Sequence, residues 1–284
     1  MSEFEGKIAL VTGGSTGIGR ATALAFARKG ARVVIADIAA PEGEQTAQMV
    51  ADAGGEARFV RADVSSAADV EALVGETVET YGRLDYACNH AGIAGVSAPT
   101  GEYPEDAWDR VIGVNLTGVF LCMKHESWQM LRQEEGAIVN VSSILAHVGF
   151  ANASAYVAAL HAVNGFTKTA ALEYAGRGIR INAVCPELAE PSLWQRADIP
   201  IDLELRTMSA GVHAGDQAEP DEVAGLAVWL RRYGVPQREN PARVPRLRER
   251  DQPSHHRFQF SAGGVSELGD GEGLHKQKGF GIGL

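Results

Sequence analysis

Residues 7–20, KIALVTGGSTGIGR, decide the fold of this chain. Their first half is a short apolar run with β-branched residues, which predicts a buried strand. Gly13 would let the chain turn sharply, Gly17 would let the backbone approach a pyrophosphate, and Gly19 would allow close packing of helix against strand. The segment therefore predicts a strand, a phosphate-binding loop and the start of a helix.

The same alternation of apolar runs and amphipathic stretches continues to about residue 230. Six runs are predicted as strands, namely KIALVTGG, ARVVIADI, ARFVRADV, RLDYACNHAG, GAIVNVSS and IRINAVCP. Segments between them, such as GRATALAFARKG and AADVEALVGETVETYG, place apolar residues at i, i+3 and i+4 and are predicted as helices. This order indicates an α/β fold, a single Rossmann-like, doubly wound parallel sheet with helices on both faces.

The composition changes abruptly after Leu230. Residues 231–284 contain eight Arg, two Lys and six acidic residues, so they carry a net charge of +4 while residues 1–230 carry −14. Arg and Pro crowd together there without a helical or strand period. We predict one dinucleotide-binding domain over 1–230 and a poorly ordered extension over 231–284. A basic arm for nucleic acid or for an acidic partner is the alternative.

The bulk composition is that of an ordinary soluble globular protein, with 45% hydrophobic and 22% charged residues. A net charge of −10 argues against nucleic acid as a partner of the main domain. No apolar stretch reaches the roughly 18 residues of a membrane helix, and the strand-like start leaves no room for a signal peptide. The wide spacing of Cys88, Cys122 and Cys185 indicates reduced thiols in a cytoplasmic setting.

The glycine-rich loop and the second strand together predict the cofactor. Ser15, Thr16 and Ile18 lie between the glycines, where backbone N–H groups at the positive end of a helix dipole would hold phosphates. Asp37 ends the second predicted strand about twenty residues on, where a carboxylate accepts hydrogen bonds from the ribose hydroxyls. The carboxylate also repels a 2′-phosphate, which favours NAD over NADP. Asp37 could also cap the helix that begins near PEGEQTAQMV, and both roles could hold together.

Taken together, these segments resemble the short-chain dehydrogenase/reductase family over about residues 5–230. The resemblance is carried by TGGSTGIG at 12–19, Asp37, the DV at 63–64, NHAG at 89–92, VN at 114–115, Ser143 and Tyr156 thirteen residues apart, and CP at 185–186. It implies hydride transfer between NAD(P) and an alcohol or ketone, in a homodimer or homotetramer. His90 stands where the family more often has asparagine.

The resemblance also implies a role for each matching residue. Ser143 would donate a hydrogen bond to the substrate oxygen, Tyr156 would exchange a proton with it, and Asn115 would hold a water that continues the proton path. Residues implied to contact the cofactor are Gly13, Ser15, Thr16, Gly17, Ile18, Gly19, Asp37, Asp63 and Val64 beside the adenine, Asn89, Ala91 and Gly92 along one wall, Tyr156 and Pro186.

Simpler interpretations remain open for the three catalytic candidates. Ser143 could be a strand-end hydroxyl that satisfies a turn, Tyr156 an amphipathic interface residue, and Asn115 a helix cap. No metal site is predicted, because the spacing of the histidines (His125, His147 and His161) is not that of metal ligands.

The sequence departs from the family pattern one helical turn after the tyrosine. The family has lysine there, on the same helix face, where it holds the ribose and lowers the pKa of the tyrosine. This chain has Leu160. An ordinary phenol has a pKa of about 10, so only about one in a thousand is ionised at pH 7. We therefore expect slow catalysis, since loss of a tuned acid–base group typically costs about 10²- to 10⁴-fold in rate.

Two further departures follow the sixth strand. Glu187 replaces the glycine that usually follows the proline, and Pro191 stands at the position of a threonine that binds the nicotinamide carboxamide. The closing strand of the family has no counterpart after Leu230, which would leave a sheet edge unpaired. Either the protein has drifted toward a non-catalytic NAD-binding role, or local reading-frame shifts have altered these segments.

The substrate is predicted only by class. A loop over about residues 188–215 should cover the pocket and contains Leu193, Trp194, Ile199 and Met208. His147 and Phe150 are expected on the other side. These residues favour an apolar, cyclic small molecule as substrate.

Overall fold

The computed structural model describes residues 3–186, 225 and 259–260. All six predicted strands are present and parallel to one another, which confirms the α/β prediction. They are β1 Ile8–Thr12, β2 Arg32–Asp37, β3 Glu56–Arg61, β4 Tyr86–Asn89, β5 Gly136–Val141 and β6 Ile179–Cys185.

The described helices connect consecutive strands. They are α1 Gly17–Arg28, α2 Ala40–Asp52, α3 Ala67–Tyr81, α4 Glu105–Ile112, α5 Val119–Gln133 and α6 Ser154–Tyr174. A π-helical segment, Gly113–Gly118, joins α4 to α5 without a break in the helical path. Short 3₁₀ turns lie at Thr100–Glu102, Ile144–Ala146 and Ala175–Arg177.

The strand order is β3-β2-β1-β4-β5-β6. The direction of winding reverses between β1 and β4, where Thr12 at the end of one strand pairs with Asn89 at the end of the other. Ligands of open α/β sheets bind in the crevice outside the carboxyl ends of the strands at such a reversal. The topology therefore places the site at the loops that follow β1 and β4.

The core has one apolar layer on each face of the sheet, as predicted for a doubly wound fold. In β1, Ala9 and Val11 pack with Phe26 of α1 and Ala47 of α2. Leu10, between them in sequence, belongs to the opposite layer, which contains residues from α3, α5 and α6. Side chains of a strand alternate between faces, so each central strand is buried on both sides.

The outer edge of β6 differs from the expectation of an unpaired edge. Gln259–Phe260 forms a short strand, β7, that pairs antiparallel with Val184 and Cys185. The prediction of no closing strand is therefore wrong at these two residues. They come from the basic extension, whose other residues, like Glu187, Pro191 and the loop 188–215, lie outside the described ranges. The domain boundary at 230 stays a prediction.

Cys88, Cys122 and Cys185 are free and buried, as expected for reduced thiols. None of the helices in the described ranges is long and apolar enough to cross a membrane.

Among the glycines that end helical segments in the left-handed conformation, Gly82 and Gly178 differ in their surroundings. Gly82 follows α3 with φ 79°, and Gly178 follows the turn Ala175–Arg177 with φ 77°. Space for a Cβ atom is open at Gly82, whereas at Gly178 a Cβ would overlap the carbonyl oxygen of Glu134. The second glycine therefore combines a conformational requirement with a close backbone approach.

These two glycines form a matched pair for a stability test. Gly82→Ala is expected to lower the free energy of unfolding by about 1–2 kcal/mol, the cost of a left-handed alanine. Gly178→Ala should cost clearly more, because the methyl group also meets the Glu134 carbonyl. Urea unfolding followed by circular dichroism measures both. Equal decreases in the free energy of unfolding of the two variants would mean that the backbone at Glu134 moves to accommodate the methyl group at little cost.

Candidate functional site

The glycine-rich loop is as compact as the sequence predicts. Gly13 has φ 66° and Gly17 has φ 52°, both in the region that favours glycine. A Cβ at Gly13 would lie 2.8 Å from the backbone nitrogen of Ala91, and one at Gly19 would overlap the Gly13 carbonyl. The loop thus leaves bare backbone in front of α1, which fits a dinucleotide phosphate.

Thr12 joins this loop to the wall after β4. Its buried hydroxyl oxygen lies 3.2 Å from the backbone nitrogen of His90 and 3.4 Å from that of Ala91, both of which donate to it. The His90 ring lies over the loop, with Nδ1 3.4 Å from the carbonyl oxygen of Gly13. Gly13 and Ala91 are therefore brought together, and contact of these residues and Gly92 with a cofactor stays a prediction.

Asp37 lies beside the same loop. One carboxylate oxygen accepts from the backbone N–H of Ser15 at 3.2 Å, and the other accepts from that of Ala39 at 3.0 Å. The alternative that Asp37 caps α2 is wrong, because the residue at that cap is Ala39. The half-buried carboxylate is held at the carboxyl end of β2, where a ribose would lie.

Asp63 and Val64 follow β3 rather than end it, because the strand stops at Arg61. The Asp63 carboxylate accepts from the backbone N–H and the hydroxyl of Ser65, at 2.9 and 2.7 Å. Val64 is buried against Gly118, where a Cβ would lie 2.8 Å from a Val64 methyl group. The pair forms a tight turn at the carboxyl edge of the sheet, next to the predicted adenine position.

Asn115 lies inside the π-helical segment, so its interpretation as a helix cap is wrong. Its amide donates to the carbonyl of Ile93 and accepts from the N–H of the same residue, both at 2.8 Å. The side chain therefore clamps the wall Asn89–Ile93 from the far side. The π turn that carries it was not predicted, and such turns occur often at functional sites. The water-holding role of Asn115 stays a prediction.

Ser143 follows β5 and begins the turn Ile144–Ala146. Its Oγ accepts from the backbone N–H of Leu145 at 3.2 Å, so the proposed turn role is real. A hydroxyl that accepts one hydrogen bond keeps its own proton to donate, so this contact leaves the substrate role possible. The carbonyl of Pro186 accepts from Ile144 N at 2.9 Å, which brings the end of β6 to the same turn.

Tyr156 and Leu160 share one apolar cluster on α6. Tyr156 is 8% exposed and Leu160 is 5% exposed, and both pack with Ile144 and Leu145 of the turn after Ser143. The tyrosine therefore packs against the turn that follows Ser143, and joint action of Ser143 and Tyr156 on a substrate stays a prediction. The leucine fills the position one turn later with hydrocarbon instead of a cation.

A polar cluster adjoins the end of this turn at His147. The Asn164 amide contacts His147 Nε2 at 3.3 Å and donates to Cys185 Sγ at 3.4 Å. Partial burial, and then the charges of Lys168 and His161, lower the pKa of His147. Burial raises the pKa of the Cys185 thiol. Within the described ranges, no group of three His, Cys, Asp or Glu side chains is arranged to hold a metal ion.

Asn89 has a different environment from the one predicted. Its side chain is 2% exposed and turns into the core, where Nδ2 donates to Glu126 Oε2 at 3.0 Å and to Asn140 Oδ1 at 3.1 Å. Only its backbone continues the wall toward Ala91. A direct contact between the Asn89 side chain and the cofactor stays a prediction.

Glu126 is a residue that the sequence did not single out. It is fully buried on α5, and desolvation raises the pKa of its carboxyl to about 7, although the hydrogen bond from Asn89 opposes the rise. In sequence, Glu126 stands in the polar stretch KHES, which is typical of a solvated helix face. Its helical period with Cys122 and Met130, both buried, was the available signal.

Comparison with known proteins agrees with the predicted resemblance. The family model described as short chain dehydrogenase matches residues 7–199. A cis-4-hydroxycyclohexanecarboxylate dehydrogenase of Sinomonas cyclohexanicum is 45% identical over 228 residues, which are 80% of this chain and 90% of that protein.

Solved structures give the same result. NAD⁺-bound xylitol dehydrogenase has a TM-score of 0.75 at 33% identity, over 81% of this chain and 93% of that one. An actinorhodin polyketide ketoreductase variant with NADPH has a TM-score of 0.73 at 35% identity, over 81% and 92%. These relatives thus include one bound to each form of the nicotinamide cofactor.

Burial of Glu126 predicts a pH dependence of stability. Between pH 4.5 and about 7 the unfolded chain ionises this carboxyl while the native chain keeps it neutral. The contribution of the Glu126 carboxyl to the free energy of unfolding is therefore lost as the pH rises from 4.5 to about 7. Glu126→Gln cannot ionise, so at pH 8 it should be more stable than the wild type by about 3 kcal/mol. Urea unfolding at pH 4 and pH 8 measures the difference.

Glu79→Gln is the control, because Glu79 is exposed on α3. It should follow the wild type at both pH values, and Glu126→Gln should match the wild type only at pH 4. A Glu126→Gln protein that matched the wild type at pH 8 as well would contradict the assigned pKa.

Proposed function

Since the chain belongs to the short-chain dehydrogenase family, we propose that it transfers a hydride between NAD and a secondary alcohol or ketone. The observation that carries the proposal is the meeting of three features at one sheet edge. These are the bare glycine loop, the Asp37 carboxylate, and the Ser143 turn packed against Tyr156. When bound there, NAD would supply the hydride acceptor or donor.

NAD is proposed over NADP because of Asp37. Its carboxylate is fixed by two backbone donors, Ser15 N and Ala39 N, at the end of β2. A fixed negative charge favours ribose hydroxyls and disfavours a 2′-phosphate. The NAD⁺-bound relative is consistent with this choice, and the NADPH-bound relative makes it a question for experiment.

Residues of this chain would bind the substrate oxygen and transfer its proton. Ser143 Oγ, with its acceptor side occupied by Leu145 N, would donate to the substrate oxygen. The Tyr156 hydroxyl would exchange a proton with that oxygen. Asn115 would keep the opposite wall in place through its two hydrogen bonds to Ile93. The apolar cluster around Tyr156 would exclude water from the reacting atoms.

A second candidate function is supported by Leu160. A buried hydrocarbon one turn after Tyr156 removes the charge that would favour an ionised phenol. The glycine-rich loop and the Asp37 carboxylate belong to other elements and keep their geometry beside it. A protein that binds NAD with little or no turnover, as a sensor or an assembly partner, is therefore the alternative.

The substrate class follows from the apolar side of the site. Leu145, Phe150 and Ile93 belong to the cluster that contains Tyr156. We therefore propose a small, mostly apolar and cyclic alcohol or ketone. The relative that acts on cis-4-hydroxycyclohexanecarboxylate supports a ring-shaped substrate.

Assembly as a homodimer or homotetramer is part of the proposal. Two large aromatic side chains of α5 face solvent, with Phe120 45% exposed and Trp128 65% exposed. Phe166 and Tyr174 of α6 line the same groove. Apolar surface of this kind is typical of a protein–protein contact. A cytoplasmic location is proposed from the three buried free thiols.

Replacement of the leucine tests the catalytic proposal. Leu160→Lys should raise the rate of NAD-dependent oxidation of cyclic secondary alcohols by about 10²- to 10⁴-fold, because it restores a cation beside the phenol. Leu172→Lys is the matched control, since Leu172 is exposed on the same helix. Absorbance of NADH at steady state, with circular dichroism as the check of folding, gives the result.

Two outcomes separate the candidate functions. A gain that disappears in the double variant with Tyr156→Phe assigns acid–base work to the tyrosine. A folded Leu160→Lys protein that binds NAD but gains no activity would favour the non-catalytic role.

Cofactor choice is tested at Asp37. Asp37→Asn should bind NADP about tenfold more tightly than the wild type, because it removes a charge from beside the 2′-phosphate. Isothermal titration with both cofactors measures the two affinities, and Asp52→Asn at the exposed end of α2 is the control. A wild-type protein that prefers NADP would overturn the assignment.

A further inference from the structure

Four buried polar side chains form a continuous hydrogen-bonded chain along one face of the sheet. Glu126 Oε2 accepts from Asn89 Nδ2 at 3.0 Å, and the same nitrogen lies 3.1 Å from Asn140 Oδ1. Asn140 Nδ2 in turn donates to Thr167 Oγ1 at 2.8 Å. The chain connects α5, β4, β5 and α6, all of which carry or adjoin residues of the candidate site.

The chain is costly to bury and is incompletely satisfied. Glu126, Asn140 and Thr167 are 0% exposed and Asn89 is 2% exposed. Within the described residues, Glu126 Oε1 and Asn89 Oδ1 are buried without a hydrogen-bond partner. A neutral carboxyl group carries one donor proton that can serve an acceptor, whereas an ionised carboxylate only adds to the excess of acceptors.

The electrostatic surroundings of Glu126 favour the neutral form. The ionisable groups that interact with it are the thiols of Cys88 on β4 and Cys122 one turn earlier on α5, and burial, followed by the charge of Glu126, raises the pKa of both. Among the described residues of the other packed elements (α3, β5, β6 and α6), no cation lowers the pKa of Glu126. An ionised Glu126 would therefore be an uncompensated buried charge.

We propose that Glu126 is a positioning residue for the dinucleotide site, which holds the end of β4 against the glycine-rich loop through its hydrogen bond with Asn89. The inference rests on the proposed binding of NAD. It assigns a role to a side chain that touches neither cofactor nor substrate.

The path from Glu126 to the cofactor loop is short. Asn89 is followed by His90 and Ala91, whose backbone nitrogens donate to Thr12 at the end of β1. Ala91 lies so close to Gly13 that a methyl group would not fit between them. A displacement of Asn89 is thus passed to the phosphate-binding turn by direct backbone contact.

A second path leads to the chemical half of the site. Asn140 precedes the end of β5 by one residue, and Ser143 follows that end. Through Asn89, Glu126 therefore sets the position of β4 relative to β5. The wall that touches the glycine-rich loop follows β4 and Ser143 follows β5, so the same side chain influences how these two parts of the site are aligned.

Ionisation of Glu126 should weaken NAD binding. A carboxylate in this place seeks more donors than Asn89 supplies, so the Asn89 side chain and the wall behind it must move. The dissociation constant for NAD is therefore expected to rise as the pH increases through the range in which Glu126 ionises. Glu126→Gln keeps the shape and the acceptor oxygen but cannot ionise.

The test compares four full-length proteins by isothermal titration with NAD at pH 6 and pH 9. For the wild type and the exposed control Glu79→Gln, we expect the dissociation constant to rise about fivefold or more. For Glu126→Gln it should change less than twofold. Glu126→Met fills the same volume without the hydrogen bond and should bind more weakly than Glu126→Gln at both pH values.

Amide hydrogen exchange of the cofactor-free proteins supplies a readout that does not need NAD. At pH 8.5, peptides that cover residues 12–19 and 88–93 should be less protected in the wild type and in Glu126→Met than in Glu126→Gln. At pH 6, the wild type and Glu126→Gln should be equal. This comparison uses the same pH for each pair, so the intrinsic exchange rate cancels.

The outcomes separate this inference from the proposed function. If no protein binds NAD but protection differs as stated, the NAD proposal fails and the positioning role stands. Equal protection in wild type and Glu126→Gln at pH 8.5 would overturn the positioning role, whether or not NAD binds. So would an equal loss of NAD affinity with pH in these two proteins, or a Glu126→Met protein that behaves like Glu126→Gln.

Discussion

The close approach of Gly13 to Ala91 is the contact on which the site depends. The winding of the sheet reverses between the parallel strands β1 and β4. The crevice outside their ends would accommodate a dinucleotide only if both following loops stay in place. Gly13 allows the approach because it has no side chain, and Thr12 secures it by accepting two backbone hydrogen bonds from the opposite loop. The side chains of Asp37 and Asn115 then hold these loops by accepting hydrogen bonds from the backbone N–H groups of Ser15 and Ile93.

Local patterns were sufficient to predict most of the fold. The six parallel strands, the glycine turn and helices such as α1 and α3 follow from apolar periodicity and from residue types that act over a few positions. The pairing of Gln259–Phe260 with β6 was missed, because a contact with a partner some 75 residues earlier leaves no periodic signal in two residues. The π turn was missed for a related reason, since it differs from an α-helix only in its hydrogen-bond spacing.

The parts of the site that depend on the spacing of residues in the sequence were predictable. The parts that depend on contacts between distant elements were predicted less well. The spacing of Ser143 and Tyr156 and the place of Asp37 lead to one edge of the sheet, although their roles stay predictions. Asn89 was assigned to the cofactor, yet its side chain points to Glu126. Which way a strand-end side chain turns depends on the helix that covers it. The polar stretch around Glu126 suggests a solvated helix face, and only its helical period with Cys122 and Met130 indicates burial.

The π-helical segment Gly113–Gly118 has a consequence for the helix that follows it. A π turn holds about one residue more than an α turn, and each residue advances the helix by about 100°. The angular phase of α5 is therefore set by the number of residues in the preceding turn, rather than by their chemistry. That count directs Glu126 toward the sheet and Trp128 toward solvent. The number of residues in the segment around Asn115 thus determines which side chains of α5 face the sheet and which face solvent. Insertions and deletions in that segment are therefore constrained, whichever residues occupy it.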